Sequence, residues 1–223
     1  VKVPRAVLFD LDGTLCDSLP DISWALNEAR MDMRLPPVTD GQVRSWVGGG
    51  AGLLVARSLG HEDDRAPDVA PLLAAFMRRY DSHAADESKL YPGVAELVDL
   101  LSERGVLMAC TTNKPASAAR ALLDAVDVLS RLDALVTPET CGGAKKPDPR
   151  FMTTALRKLG VEAKDALVVG DALQDIQAAK CVGIRVVAIL GGYGDPEALR
   201  AAGADEYVAT IADVAPLLGL TSR

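Results

Sequence analysis

Short apolar runs alternate with helical patterns along most of this chain. The runs at 6–11 (AVLFDL), 106–112 (VLMACTT), 134–137 (ALVT), 166–171 (ALVVGD), 185–190 (RVVAIL) and 206–209 (EYVA) are rich in Val, Leu and Ile. They lack in-out alternation, as strands covered on both faces do. Between them, residues 91–105 place Val94, Leu97, Val98 and Leu101 on one helical face, with Gly105 just past the end. The stretch DPRFMTTALRKLG opens with Asp148 as a predicted helix cap and Pro149 at the first helical position, and it stops at Gly160. DPEALRAAG, from Asp195 to Gly203, repeats that grammar. Strand-helix alternation of this kind predicts an α/β fold with a doubly wound, Rossmann-like parallel sheet.

Residues 17–89 break the rhythm, and nothing in them reads as a strand. Ile22, Ala25, Leu26, Ala29 and Met33 form a helical stripe that ends before Pro36 and Pro37. Thr39 and Gln42 have capping-box spacing, and helical segments follow at about 50–59 and 67–82. An all-helical insertion directly after the first strand predicts a cap over that strand's carboxyl end. The expected division is 1–16 core, 17–89 helical cap and 90–223 core, with hinges near Cys16–Leu19 and Lys89–Pro92. The chain shows no internal repeat and no low-complexity tract.

Composition narrows the function. A formal net charge of -7 over 223 residues argues against a nucleic-acid partner, since no basic excess exists to neutralise phosphates. It leaves open a small phosphate ester, which needs only a local cationic site. The apolar run near the start is too short for a signal peptide, and no run approaches the ~20 residues of a membrane span. Cys16, Cys110, Cys141 and Cys181 form no C-x-x-C pair, so reduced thiols are expected in place of zinc or disulfides. The expectation is a cytoplasmic protein, monomer or homodimer, with no membrane partner.

The candidate chemistry lies at the strand ends, where open parallel sheets bind ligands. Asp10 and Asp12 follow the first run two residues apart, and carboxylates so crowded repel unless a cation lies between them. The second run ends in Thr111, Thr112 and Asn113, and the fourth in Asp171 with Asp175 close behind. Lys145 and Lys146 precede another helix. Four converging carboxylates call for a hard divalent cation, and Mg²⁺ shared with phosphate oxygens is the usual solution.

Four motifs stand in order: D-x-D-G-T at 10–14, Thr112 in TTNKP, Lys146 in KPDP, and G-D-x-x-x-D at 170–175. In these the sequence resembles the haloacid dehalogenase superfamily of phosphotransferases over nearly the whole chain, and its flanks are most similar to phosphoglycolate phosphatases. The resemblance implies that core type with its helical cap, and an aspartyl-phosphate mechanism. Asp10 is then the nucleophile, and Asp12 the acid and base. Gly13, Thr112, Asn113 and Lys146 hold the phosphoryl group. Mg²⁺ is held by Asp10, Asp171 and the main-chain carbonyl of Asp12, with Asp175 in support. Ala172 stands where many relatives carry Ser, which loses one hydroxyl near the metal.

The glycines Gly48, Gly49 and Gly50 are expected to face substrate from the cap, with Arg44 as a nearby cation. Lys145 is expected to be a solvated or secondary cation, the HEDDR cluster (61–65) a solvated helix end, and GGYG (191–194) a plain loop. His61 and His83 are expected to play no catalytic part. The implied function is Mg²⁺-dependent hydrolysis of a small phosphorylated metabolite, 2-phosphoglycolate first. The alternatives are an amino-sugar 6-phosphate phosphatase and a phosphomutase resembling the beta-phosphoglucomutases. A non-catalytic sensor is disfavoured by the presence of Asp10, Asp12 and Lys146.

Overall fold

The computed structural model describes residues 3–220; the outermost ends of the two predicted core segments, 1–2 and 221–223, lie outside the described residues. The first apolar run forms β1 (Ala6–Phe9), fully buried, and the chain turns away at Asp10. A two-residue strand, β2 (Cys16–Asp17), leads into four helices: α1 (Leu19–Asp32), α2 (Asp40–Trp46), α3 (Ala51–Ser58) and α4 (Val69–His83). After β3 (Lys89–Leu90) come α5 (Val94–Glu103), β4 (Leu107–Thr111), α6 (Ala116–Ala125), β5 (Ala134–Val136), α7 (Arg150–Leu159) and β6 (Ala166–Gly170). The chain continues through α8 (Leu173–Cys181), β7 (Arg185–Ile189), α9 (Pro196–Ala202), β8 (Glu206–Val208) and α10 (Val214–Leu217).

The six long-range strands form one sheet in the order β5-β4-β1-β6-β7-β8, parallel throughout. All six strands predicted from apolar runs are present. Each is shorter than its run, because buried loop residues such as Leu11 extend the apolar pattern past the last ladder bond. Alternate residues of β1 point to opposite faces. Val7 and Phe9 join a core with Leu97, Leu101 and Leu122, while Ala6 and Leu8 join one with Phe151, Met152 and Ile176. The four helices between β2 and β3 enclose a third core around Leu26, Val55, Leu72 and Phe76. The doubly wound α/β sheet with a helical cap is therefore the observed architecture.

The predicted side-chain caps are met at two helix starts. Thr39 and Gln42 form the capping box reciprocally, and Asp195 accepts from the Glu197 N–H at 3.2 Å. Three details differ from expectation. Asp148 is one residue before the N-cap of α7: Pro149 takes the N-cap position, while the Asp148 carboxylate accepts from Arg150 N at 2.9 Å. Met33 lies off the buried stripe and is 38% exposed, because α1 stops at Asp32 and the chain turns through Arg34 at φ 58. The expected hinges are a ribbon, with β2 pairing antiparallel to β3. Two-residue strands are too short to show a period, so their pairing is invisible in the apolar pattern.

Asp21 closes the base of the insertion by accepting from Glu87 N (3.0 Å), Ser88 N (2.9 Å) and Ser88 Oγ (2.5 Å). The four cysteines are free thiols. No helix among the described residues is long and apolar enough to cross a membrane.

Candidate active site

The carboxyl ends of β1, β4 and β6 bring the chemistry together. Asp10 follows β1 and is buried; its N–H donates to Val169 O, and its Oδ1 accepts from Leu11 N at 2.7 Å. Lys146 reaches in from the loop before α7, with Nζ 2.8 Å from Asp10 Oδ1, 2.6 Å from Asp175 Oδ1 and 2.7 Å from Thr111 O. All three ammonium protons thus have partners. Asp171 follows β6 and accepts from Thr14 Oγ1 at 2.5 Å and from Tyr193 N at 2.7 Å. Asp175, in the first turn of α8, also accepts from Ala172 N at 3.1 Å, completing that helix's N-terminus.

Asp10, Asp171 and Asp175 place carboxylate oxygens within 4.8 Å of one another, all buried. Burial, and then the charge of Asp175, push Asp10 up to about 7 even with Lys146 opposing. Burial, and then the charge of Asp10, push Asp171 up to about 7 as well. Asp175 is raised chiefly by burial. Burial by itself disfavours the Lys146 ammonium, but Asp10 and Asp175 outweigh it and hold this lysine above its usual range. Three buried carboxylates facing one ammonium leave the pocket short of positive charge. The backbone presses against it: a Cβ on Gly13 (φ +84) would lie 2.2 Å from Asp171 Oδ2, and one on Gly192 would lie 2.3 Å from Asp171 Cβ. An all-oxygen, buried, charge-deficient set of this kind fits a hard divalent cation. Asp10 and Asp171 would hold it, with Asp175 turned toward Lys146.

Asp12 belongs to a different group. Its Oδ1 accepts from Lys114 Nζ at 2.6 Å and from Ser18 Oγ at 2.5 Å. Lys114 is buried, with Nζ 4.9 Å from the centre of the Tyr80 ring. Burial pulls its ammonium down, and Asp12 more than restores it. Lys114 and Ser18 were not among the residues expected from sequence. The one available signal was position, since Lys114 immediately follows the strand-end TTN.

The remaining expected residues divide. Thr112 is buried at the end of β4, its Oγ1 accepting from Lys114 N at 3.1 Å. The Asn113 side chain is not free for phosphate. Its amide donates to Gly48 O (2.8 Å) and Lys146 O (3.2 Å), and its oxygen accepts from Lys146 N (2.7 Å). Asn113 thus ties the Lys146 loop to Gly48 of the cap.

Two cavities separate cap from core. A small one of about 40 Å³ is lined by Asp10, Asp12, Thr112, Lys114, Leu54 and Phe76. A larger one, about 430 Å³, opens beside Asp12 and Asp171 and is lined by Arg44, Arg57, Gln174 and Tyr193. Gly48 borders both and Gly50 the smaller, whereas Gly49 borders neither and packs on Leu53.

Lys145 is half-exposed and lies 3.6 Å from Asp64, so one member of the HEDDR cluster faces the core instead of bulk water alone. His61 and His83 pair with Asp68 and Asp86 at the surface. The GGYG stretch is no plain loop: besides the Tyr193 N–H on Asp171, Arg44 donates to Gly192 O.

Comparison with known proteins agrees with this arrangement. The family model for haloacid dehalogenase-like hydrolases matches residues 7–189. The phosphoglycolate phosphatase of Rhodospirillum rubrum is 41% identical over 86% of this chain and 81% of its own length. The N-acetylmuramic acid 6-phosphate phosphatase of Pseudomonas aeruginosa is 36% identical over 86% and 84%. The crystal structure of a predicted phosphoglycolate phosphatase from Haemophilus somnus superposes with a TM-score of 0.87 at 28% identity, covering 97% of this chain and 99% of that one. With the four motifs folded onto the strand ends and the family match spanning both sides of the helical insertion, the chain belongs to the haloacid dehalogenase-like hydrolases, as one of their phosphatases.

Proposed function

We propose that this phosphatase hydrolyses a small phosphomonoester bearing a carboxylate, 2-phosphoglycolate first, with Mg²⁺ as its metal and residues 17–89 as the substrate-selecting cap. Asp10 attacks phosphorus in line; the Asp10–phosphorus bond forms as the ester P–O bond breaks. Asp12 gives its proton to the departing alkoxide, then takes one from the water that releases phosphate and regenerates Asp10. Lys146 offsets the charge on nucleophile and phosphoryl group, the electrostatic stabilisation on which phosphoryl transfer chiefly depends. Mg²⁺, when bound, neutralises phosphate charge beside Asp10 and Asp171.

The observation that carries the substrate reading is the cationic wall of the larger cavity. Arg44 and Arg57 line it, and neither has a carboxylate partner among the described residues. A substrate carboxylate entering with its phosphate toward Asp10 supplies that partner, and the pairing strengthens as water is excluded. The relatives at 41% and 36% identity support the same class, since glycolate and muramic acid both carry a carboxylate. The volume of about 430 Å³ favours a second reading, a carboxylated amino-sugar 6-phosphate.

Phosphate release with Mg²⁺ from 2-phosphoglycolate, N-acetylmuramic acid 6-phosphate, glucose 6-phosphate and p-nitrophenyl phosphate tests both readings. Arg57→Ala is expected to raise KM for the carboxylated substrate by about tenfold, the loss of one charged contact, and to spare p-nitrophenyl phosphate. Preference for glucose 6-phosphate would sink the carboxylate reading and leave the phosphatase chemistry intact.

A further inference from the structure

Tyr193 sits in the loop between β7 and α9, only 8% exposed. Its hydroxyl donates to Asp17 Oδ1 at 2.6 Å and accepts from the backbone N–H of Ser18 (2.8 Å) and Leu19 (2.9 Å). The one proton and both lone pairs of the phenol are therefore in use. Burial, and then the hydrogen bond to Asp17, push its pKa up, so it remains a donor.

The two amides it receives open α1, and the first N–H groups of a helix have no acceptor within the helix. A serine at the N-cap ordinarily turns its own oxygen to the amide of the second or third helical residue. Ser18 makes no such bond; its Oγ instead donates to Asp12 Oδ1 at 2.5 Å. The same tyrosine's N–H donates to Asp171 Oδ2 at 2.7 Å, and Arg44, which holds Gly192 O, lies 5.4 Å over its ring. The loop that touches the carboxylate cluster thus also sets where the chain enters the cap.

The geometry points to Tyr193 as a positioning residue for Asp12: by holding the Ser18 and Leu19 amides from across the fold, its phenol fixes the backbone from which the Ser18 hydroxyl orients the acid. This rests on reading Asp12 as the proton donor. As the Asp10–phosphorus bond forms, the ester P–O electron pair goes to the leaving oxygen, and an alkoxide then needs the Asp12 proton. A p-nitrophenolate leaves as a stable anion and does not.

The test is leaving-group release in a single turnover, with Mg²⁺-loaded enzyme in excess over 2-phosphoglycolate or p-nitrophenyl phosphate. Tyr193→Phe removes one oxygen and keeps the ring and the N–H on Asp171. It is expected to slow release of glycolate about tenfold or more, part of the ~10²–10⁴ that a positioned acid contributes. Release of p-nitrophenolate should stay within about twofold, since that step bypasses the acid. Ser18→Ala leaves the phenol contacts in place and is expected to show the same split. The double variant should be no slower than the slower single one, because both act through one link. Equal losses on the two esters, or none, in either single variant would overturn the inference. Asp12→Asn runs alongside with the same expected split; an equal loss on both esters there would overturn the reading of Asp12 itself.

Discussion

Two buried lysines meet the paired aspartates beyond β1, in opposite electrostatic settings. Around Asp10, three carboxylates share the single ammonium of Lys146, and burial with mutual repulsion lifts Asp10 and Asp171 to about 7. Around Asp12, one carboxylate meets the one ammonium of Lys114, with Ser18 Oγ adding a neutral hydrogen bond. Asp10 and Asp12 are two residues apart, yet one belongs to a pocket short of positive charge and the other to a balanced pair. Asp10 therefore sits where a further cation is required. Asp12 sits where charge already closes without one.

The strongest way to break this contrast is to remove a carboxylate from the deficient side. Asp10→Asn is expected to reduce phosphate release by ~10⁴-fold or more, as loss of a covalent nucleophile does. The metal-free melting temperature should not fall, because a repelling charge has gone. Near wild-type turnover in a phosphate assay would refute the nucleophile assignment.

Removing the cations sharpens the comparison. Lys146→Ala strands three buried carboxylates and is expected to cost about 3–5 kcal/mol in urea unfolding of the metal-free protein. Lys114→Ala is expected to cost less, because the Asp12 side chain keeps 14% exposure while those of Asp10 and Asp175 keep 8% and none. Added Mg²⁺ should recover stability in Lys146→Ala and do little for the deficit in Lys114→Ala. The reverse order would dissolve the distinction between the two groups.

The smallest effect is a slope with pH. Asp10 and Asp171 are raised from 3.8 to about 7 in the folded, metal-free protein. Between those values the folded state binds more protons than the unfolded state, so the stability from these groups is full below the lower value and lost as pH rises through about 7. Relative to Asp171→Asn, the metal-free melting temperature should therefore decline from about pH 4 to pH 7, the interval between the two pKa values, and saturating Mg²⁺ should flatten the decline. A wild type that gains stability relative to that variant across the interval would contradict the charge deficit.

Much of this was readable along the chain. The strand ends, the capping box at Thr39, the inserted helices, and Asp10, Asp12, Asp171 and Asp175 at the sheet's carboxyl edge all follow from patterns spanning a few residues, while the family resemblance singled out Lys146. Periodicity and turn chemistry act over that range, and a parallel sheet then carries each strand end to a common edge whatever the loops do. The tertiary structure alone decided which groups meet across the fold. Lys145 and Lys146 are neighbours in sequence, but one faces Asp64 near solvent and the other is buried among carboxylates. Lys114 finds Asp12 across 102 positions, and Tyr193 finds Asp17 across 176. Asn113 spends its amide on Gly48 and Lys146, and Gly49 turns from the cavity that its neighbours border. A side chain's partner depends on how helices and loops pack in three dimensions, and buried polar groups take whichever partner that packing brings within hydrogen-bond reach.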